Sequence, residues 1–226
     1  MKGKLIVFEG MDGSGKATQS KRLCEYLLAK GHKVRRISFP DYEAPSSVLL
    51  RMYLNGEFGA TADSVNGYIA SAFFAVDRVA SYMSKWRNAL EDGEIVILDR
   101  YTTSNMVHQT SKLPREQWDE YLEWLYDFEF KKLGLPEPDL TFYLRVSVEI
   151  SEHQLAVRYG NDESKKDIHE KDAGYLRRCA ESGIYSAQKF NWKVIECADN
   201  GIMRSIEDIG DEILGEVSLL LKEETL

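Results

Sequence analysis

The residues whose types and spacing suit chemistry gather first between Leu5 and Gln19, read as LIVFEGMDGSGKATQ. Gly10 is followed by four residues and then by Gly15 and Lys16. An apolar run, Leu5 to Phe8, leads in, and a helical pattern with Lys21, Leu23, Leu27 and Leu28 leads out. Glycines in that order let backbone N–H groups curl around an anion. The following helix points its positive end at the same place, and the lysine adds a full charge. The guest this suits is a phosphate. One letter departs from the pattern G-x-x-x-x-G-K-[ST]: Ala17 stands where a hydroxyl would ligate magnesium. Thr18 lies about 100° further round a helix and is no simple substitute. A metal here is expected to lean on phosphate oxygens, water and another carboxylate.

Asp99 is that carboxylate. It ends a short apolar strand, Glu94 to Leu98, and opens DRYTTSN. At such a strand end a carboxylate holds magnesium directly or through water, and Arg100 beside it offers a fork for phosphate oxygens. A buried Asp–Arg pair tying the strand end is the bland alternative, and it leaves the polar run after it unexplained. Pro40 fixes the backbone where a second strand leaves the sheet and puts Tyr42 at the carboxyl edge, where ligands collect in open parallel sheets. Taken alone, a plain loop after a strand fits those residues equally well. Phe74 lies one helical turn before Arg78, and a ring beside a guanidinium can hold a flat base. Taken alone, a surface Arg with a buried Phe is the favoured reading. Residues 158–170, RYGNDESKKDIHE, have no apolar face. They read either as a solvated charge run or as a polar lid that closes over a nucleotide, excludes water and brings in Arg158, Lys165 and Lys166.

The elements that must position these groups alternate in the α/β manner. A strand at Lys33 to Phe39 follows the first helix, and residues 44–55 read as helical. From about Asp63 to Leu90 runs a long helical stretch whose apolar stripe, Tyr68, Ile69, Ala72, Phe73, Val76, Val79, Tyr82, Met83 and Trp86, is expected to be mostly core. Pro114 opens an aromatic helix to about Lys132, suited to core or a subunit contact. A strand at Asp139 to Arg145, helices at Val148 to Val157 and Tyr175 to Phe190, a strand at Lys193 to Glu196 and an amphipathic helix at Ser205 to Leu221 complete the pattern. With 226 residues, 43% hydrophobic and 29% charged, the chain fits one domain spanning residues 1–226, with no repeat or linker. A formal charge of −8 argues against a nucleic-acid polymer as partner. No apolar stretch reaches a membrane span, and the first strand begins too soon for a signal peptide. Cys24, Cys179 and Cys197 are widely spaced without a C-x-x-C pattern, so buried thiols in a reducing, cytoplasmic setting are expected.

In their order and separation, FEGMDGSGKATQ, FPDY, FFAVDR, DRYTTSN and the polar segment resemble the thymidylate kinase family of P-loop nucleoside monophosphate kinases. The resemblance spans nearly the whole chain. It implies a P-loop NTPase-type five-stranded parallel sheet surrounded by helices and a homodimer. It also implies transfer of the γ-phosphate of ATP, with Mg²⁺, to dTMP, giving dTDP. Gly10, Gly13, Ser14, Gly15, Lys16, Ala17 and Thr18 would then cradle the ATP phosphates. Asp12 would face the substrate sugar and phosphate. Tyr42 and Arg100 would hold the acceptor 5′-phosphate, with Pro40 and Ser104 also on the substrate side. Phe74 would stack on thymine, Arg78 with Asn105 would read its polar edge, and Asp99 would orient the metal and Arg100. Some family members carry an arginine right after this Asp. Gly13 stands there here, so the resemblance implies the lid type, with Arg158, Lys165 and Lys166 stabilising the transition state. His108 sits where many members carry a tyrosine that crowds the sugar 2′ position. It would either loosen rejection of ribonucleotides or bond the 3′ hydroxyl. Two rivals stay open: a deoxynucleoside kinase using Asp12 or Glu9 as base, and a non-catalytic nucleotide-binding protein marked by Ala17.

Overall fold

The computed structural model describes residues 3–160 and 172–222. Five strands form one sheet: β1 (Leu5–Gly10), β2 (Val34–Ser38), β3 (Ile95–Asp99), β4 (Leu140–Arg145) and β5 (Lys193–Glu196). Their order is β2-β3-β1-β4-β5, and every pairing is parallel. All six residues of β1 and all five of β3 are buried, as parallel strands covered on both faces require. Alternation along β1 splits the core. Ile6 and Phe8 pack with Phe142, Leu144 and Ile195 against two helices, α1 (Lys16–Ala29) and the last helix, through Leu23, Leu27, Ile209 and Ile213. Leu5 and Val7 join Val96 and Leu98 on the other face against Trp86, Leu90 and Tyr101.

The helices after α1 follow from their caps. A 3₁₀ turn at Pro45–Ser47 leads into α2 (Val48–Leu54). Asn66 accepts from the Ile69 N–H and starts α3 (Gly67–Ser81) four residues later than the apolar pattern suggests. A π-helical turn at Tyr82–Trp86 carries the chain into α4 (Arg87–Glu91). The polar run after β3 is itself helical, as α5 (Thr102–His108), which its composition had not revealed. The aromatic stretch forms α6 (Trp118–Tyr126), followed by a second π-helical turn at Asp127–Lys132. Ser147 caps α7 (Val148–Tyr159), Asp172 caps α8 (Ala173–Lys189), and Ser205 caps α9 (Ile206–Leu221). Between β5 and α9 a small hairpin, β6 (Ala198–Asp199) with β7 (Ile202–Met203), was not foreseen.

One expectation is corrected. Most of the stripe on α3 and its extension is not core: of its nine residues Trp86 alone is fully buried, and Ile69, Val76 and Met83 are 49%, 54% and 67% exposed. Only one side of that stripe, ending in the buried Trp86, faces the sheet.

Candidate active site

The carboxyl edge of the sheet carries the site because β1, β2 and β3 all end there and each hands the chain to a functional segment. Beyond β1 the loop turns through Gly10, Gly13 and Gly15, all at positive φ. A Cβ on Gly10 would come within 2.5 Å of the Leu144 carbonyl oxygen and 2.8 Å of the Ser14 Oγ, so only glycine fits. The Ser14 hydroxyl is buried with no partner among the described residues, and such a donor invites an anion. Lys16 Nζ donates to the carbonyls of Gly10, at 2.9 Å, and Met11, at 2.8 Å. Burial and the nearby Arg100 push its pKa down, with Asp12, Asp99 and Glu9 opposing.

Gly13 sits under α7. A Cβ there would lie 2.7 Å from the Gln154 Cβ, and Ser151 Oγ donates to the Asp12 carbonyl at 2.6 Å. The approach of α7 therefore leaves no room for a side chain after Asp12.

Beyond β3, Arg100 adopts a left-handed backbone, φ 70°, and its N–H bonds the Phe8 carbonyl. Its guanidinium donates to Asp12 Oδ1 at 2.6 Å and to Glu9 Oε1 at 3.2 Å, with Ser104 Oγ and His108 Nε2 at 3.4 and 3.2 Å. An arginine only donates, so His108 Nε2 is the acceptor of that pair. Burial disfavours the Asp12 carboxylate, but Arg100 and Lys16 outweigh it and hold the group well below the usual carboxylate range. The same carboxylates outweigh burial at Arg100 and raise its pKa.

Glu9 answers one rival reading. Its Oε1 accepts from the Gly10 N–H and Arg100, and its Oε2 accepts from Thr103 and Ser104. A carboxylate so saturated, and wholly buried, has no lone pair for a substrate hydroxyl. It is an anchor for Arg100 and α5, not a base.

Asp99 borders the same cleft, with Oδ2 taken by Arg36 at 3.2 Å and Oδ1 without a hydrogen-bond partner among the described residues. Arg36 also bonds Ser20 Oγ on α1, at 2.8 Å. Among the described residues no group of three or more His, Cys, Asp or Glu is arranged to hold a metal.

Beyond β2 the Phe39–Pro40 peptide is cis, and the following segment is tied down by Asp77, which accepts from the Asp41 N–H and Ser46 Oγ. Tyr42 is 48% exposed on the cleft rim. Phe74 is half-buried, edge-on to Tyr53 at 6.3 Å, and lines the cleft. Arg78 does the opposite of what its composition suggests. It is 2% exposed, does not line the cleft, and its Nε and Nη2 clasp Glu129 at 2.8 and 2.5 Å. The favoured reading of a surface Arg beside a buried Phe is thus reversed. Asn105, also buried, does line the cleft and donates to Glu129 Oε1 and the Ser71 carbonyl.

These groups enclose a cleft of about 450 Å³ lined by Asp12, Gly13, Gly15, Lys16, Ala17, Thr18, Pro40, Tyr42, Phe74, Asp99, Arg100, Ser104, Asn105, His108 and Arg158. Arg158, exposed in the last turn of α7, is the described part of the expected lid. Lys165 and Lys166 lie outside the described residues. A larger cavity of about 760 Å³ runs between α8 and the ends of β4 and β5, and no motif residue borders it. Arg36, Glu129 and Gln109, the last also lining the cleft, escaped sequence reasoning. The available signal was a charge where the pattern wanted none, Arg36 inside a strand and Glu129 between Phe128 and Phe130.

A phosphate loop, an anion-binding fork and an aromatic slot in one cleft suit a kinase acting on a phosphorylated nucleoside, and sequence comparison decides among such kinases. The family model for thymidylate kinase matches residues 8–209. The chain belongs to the thymidylate kinase family. It is 33% identical to the thymidylate kinase of Mycobacterium tuberculosis over 176 residues, 77% of this chain and 81% of that one. It is 30% identical to that of Caldicellulosiruptor saccharolyticus over 223 residues, 99% of this chain and 100% of that one. The solved thymidylate kinase of Candida albicans matches with a TM-score of 0.70 at 22% identity, covering 98% of this chain and 93% of that one, and shows the shared fold. As a thymidylate kinase family member the chain is a nucleoside monophosphate kinase that phosphorylates dTMP, with ATP as donor.

Proposed function

We propose that the cleft binds both substrates in line, with the loop of Gly10 to Thr18 on the ATP phosphates and Arg100 with Tyr42 on the acceptor phosphate. The observation that carries this is the convergence of Lys16, Asp12, Asp99 and Arg100 with Phe74 and Asn105 on one cavity. An oxygen of the acceptor phosphate attacks the γ-phosphorus. The new P–O bond forms as the bond to the β,γ-bridging oxygen breaks and ADP leaves. That oxygen is already anionic at neutral pH, so no base is needed, in keeping with the saturation of Glu9. Lys16 leaves its two loop carbonyls for the γ-phosphate, and Arg100, held by Asp12 and Glu9, meets the acceptor without reorganising. Phe74 stacks on the base, Asn105 faces its polar edge with Arg78 bracing it through Glu129, and His108 with Ser104 lies on the sugar side. Arg158 is the described cation able to reach the transferring group from α7, and we assign Lys165 and Lys166 to the same lid.

Magnesium fits this cleft in a reduced form. Asp99 offers one uncommitted oxygen beside Lys16, while Ala17 offers none. The ion would neutralise charge on the phosphates and would be held mostly by them and by water. The exposed Ile69, Val76 and Met83, seven residues apart, with Val48 and Leu49 of α2, support a homodimer through this face. Three free cysteines support a cytoplasmic setting. No helix among the described residues is long and apolar enough to cross a membrane.

The test is ADP release with ATP and Mg²⁺, comparing dTMP, dUMP, UMP and thymidine. The expected result is strong preference for dTMP, with loss of about a hundredfold or more in kcat for Lys16→Ala. Turnover of thymidine alone would move the acceptor from a phosphate to a hydroxyl and overturn the roles of Arg100 and Tyr42.

A further inference from the structure

Glu129 lies at the end of the aromatic stretch, 0% exposed, and no motif accounts for it. Its Oε1 accepts from Arg78 Nη2 at 2.5 Å and from Asn105 Nδ2 at 2.8 Å, and its Oε2 accepts from Arg78 Nε at 2.8 Å. The second Nδ2 hydrogen of Asn105 goes to the Ser71 carbonyl at 3.3 Å. Both donors of the amide are therefore spent on the protein. The atom Asn105 has left to offer the cleft is its acceptor, Oδ1. At Arg78 the Nε and Nη2 edge is spent likewise, and the side chain lies outside the lining of the cleft.

A side-chain amide can present either end, and what fixes this one is that a carboxylate only accepts. With Glu129 in place, Asn105 cannot turn its carbonyl inward without setting oxygen against oxygen in a dry site. We infer that Glu129 is a positioning residue that sets the polarity of the base-reading edge by holding Asn105 as an acceptor. This rests on the reading of the cleft as the site of the acceptor base. A thymine or uracil ring shows N3–H there and satisfies that acceptor. Cytosine shows an unprotonated N3 at that position and is mismatched, acceptor against acceptor. Unpaired polar groups in a buried site are where discrimination becomes large.

The experiment is Glu129→Gln, measured by kcat/KM for dTMP, dUMP and dCMP. Glutamine keeps the shape and can either donate or accept, so Asn105 is then held only by its longer 3.3 Å bond to the Ser71 carbonyl. The wild type is expected to prefer dTMP over dCMP by about a thousandfold or more. In E129Q that ratio should fall by about tenfold or more, the dUMP to dCMP ratio should fall equally, and the dTMP to dUMP ratio should not move. A purely structural residue would lower all three rates together. An unchanged dTMP to dCMP ratio in folded E129Q, checked by ATP binding, overturns the inference. Should E129Q fail to bind ATP, Glu129→Asp, which keeps the charge but withdraws the carboxylate, takes its place with the same two outcomes. A wild type that accepts dCMP as readily as dTMP would instead overturn the base-edge reading itself.

Discussion

Glu9 and Arg100 meet across the junction of β1 and β3, 3.2 Å between Oε1 and Nη1, although ninety-one positions separate them. Phe8 pairs in register with Asp99, so the residues that follow each must lie side by side. The parallel register of two buried strands thus delivers a carboxylate anchor to the arginine we assign to the acceptor phosphate. Asp12 completes the clasp from the loop.

Arg100→Ala should cost both activity and stability. Removing the guanidinium strands Glu9 in a dry site, and breaking a buried pair by deleting one partner destabilises by about 3–5 kcal/mol. Thermal melting should drop by several degrees, and kcat/KM for dTMP should fall by about a hundredfold or more. Near-normal turnover would remove Arg100 from the phosphate clamp.

Phe74→Ala separates the two substrates. The ring borders the cleft and packs on Tyr53; with the stacking role we assign it, its loss should raise KM for dTMP about tenfold and leave KM for ATP within about twofold. A change confined to ATP would reassign the aromatic slot.

Gly13→Ala tests the pressure of α7 on the phosphate loop. The substitution sets a Cβ 2.7 Å from Gln154 and asks alanine to hold φ 77°. Strain and overpacking together should cost about 2 kcal/mol, read by denaturant unfolding. Gln154→Gly in the same chain should return part of that cost.

Lys112 provides a pH signature away from the site. Burial pushes its pKa down to about 8, against the pull of Asp63, while Nζ donates to Tyr53 and the Val65 carbonyl. Unfolded, the group titrates near 10.4. Between those two values the unfolded chain holds more protons than the folded one, so this residue's contribution to stability rises with pH across that window. Lys112→Met should flatten the rise in unfolding free energy between about pH 8 and pH 10. An undiminished rise would assign it to other groups.

How much of this was legible beforehand depends on range. The phosphate loop, the strand ends at Pro40 and Asp99, and the order of elements follow from local pattern, because glycine and proline act on their own backbone and burial acts with a short period. Contacts between distant segments left little trace. Nothing around Glu129 announces that Arg78 and Asn105 converge on it, and the stripe of Ile69, Val76 and Met83 reads as core because periodicity reports apolarity, not what covers it. The helix at Thr102–His108 hid behind Thr, Ser and Asn, which favour caps and turns until tertiary partners engage them, as Glu9 does for Thr103 and Ser104.

The bond from Ser151 to the Asp12 carbonyl makes α7 a measuring rod. Pinned to the phosphate loop at one end, the helix carries Arg158 seven residues further on, about 10 Å along its axis. The reach of that cation is thereby graduated by helical rise and not by loop length. Deleting a single residue between the two would swing Arg158 by about 100° and shorten its arm by about 1.5 Å. The rod itself is cut to size.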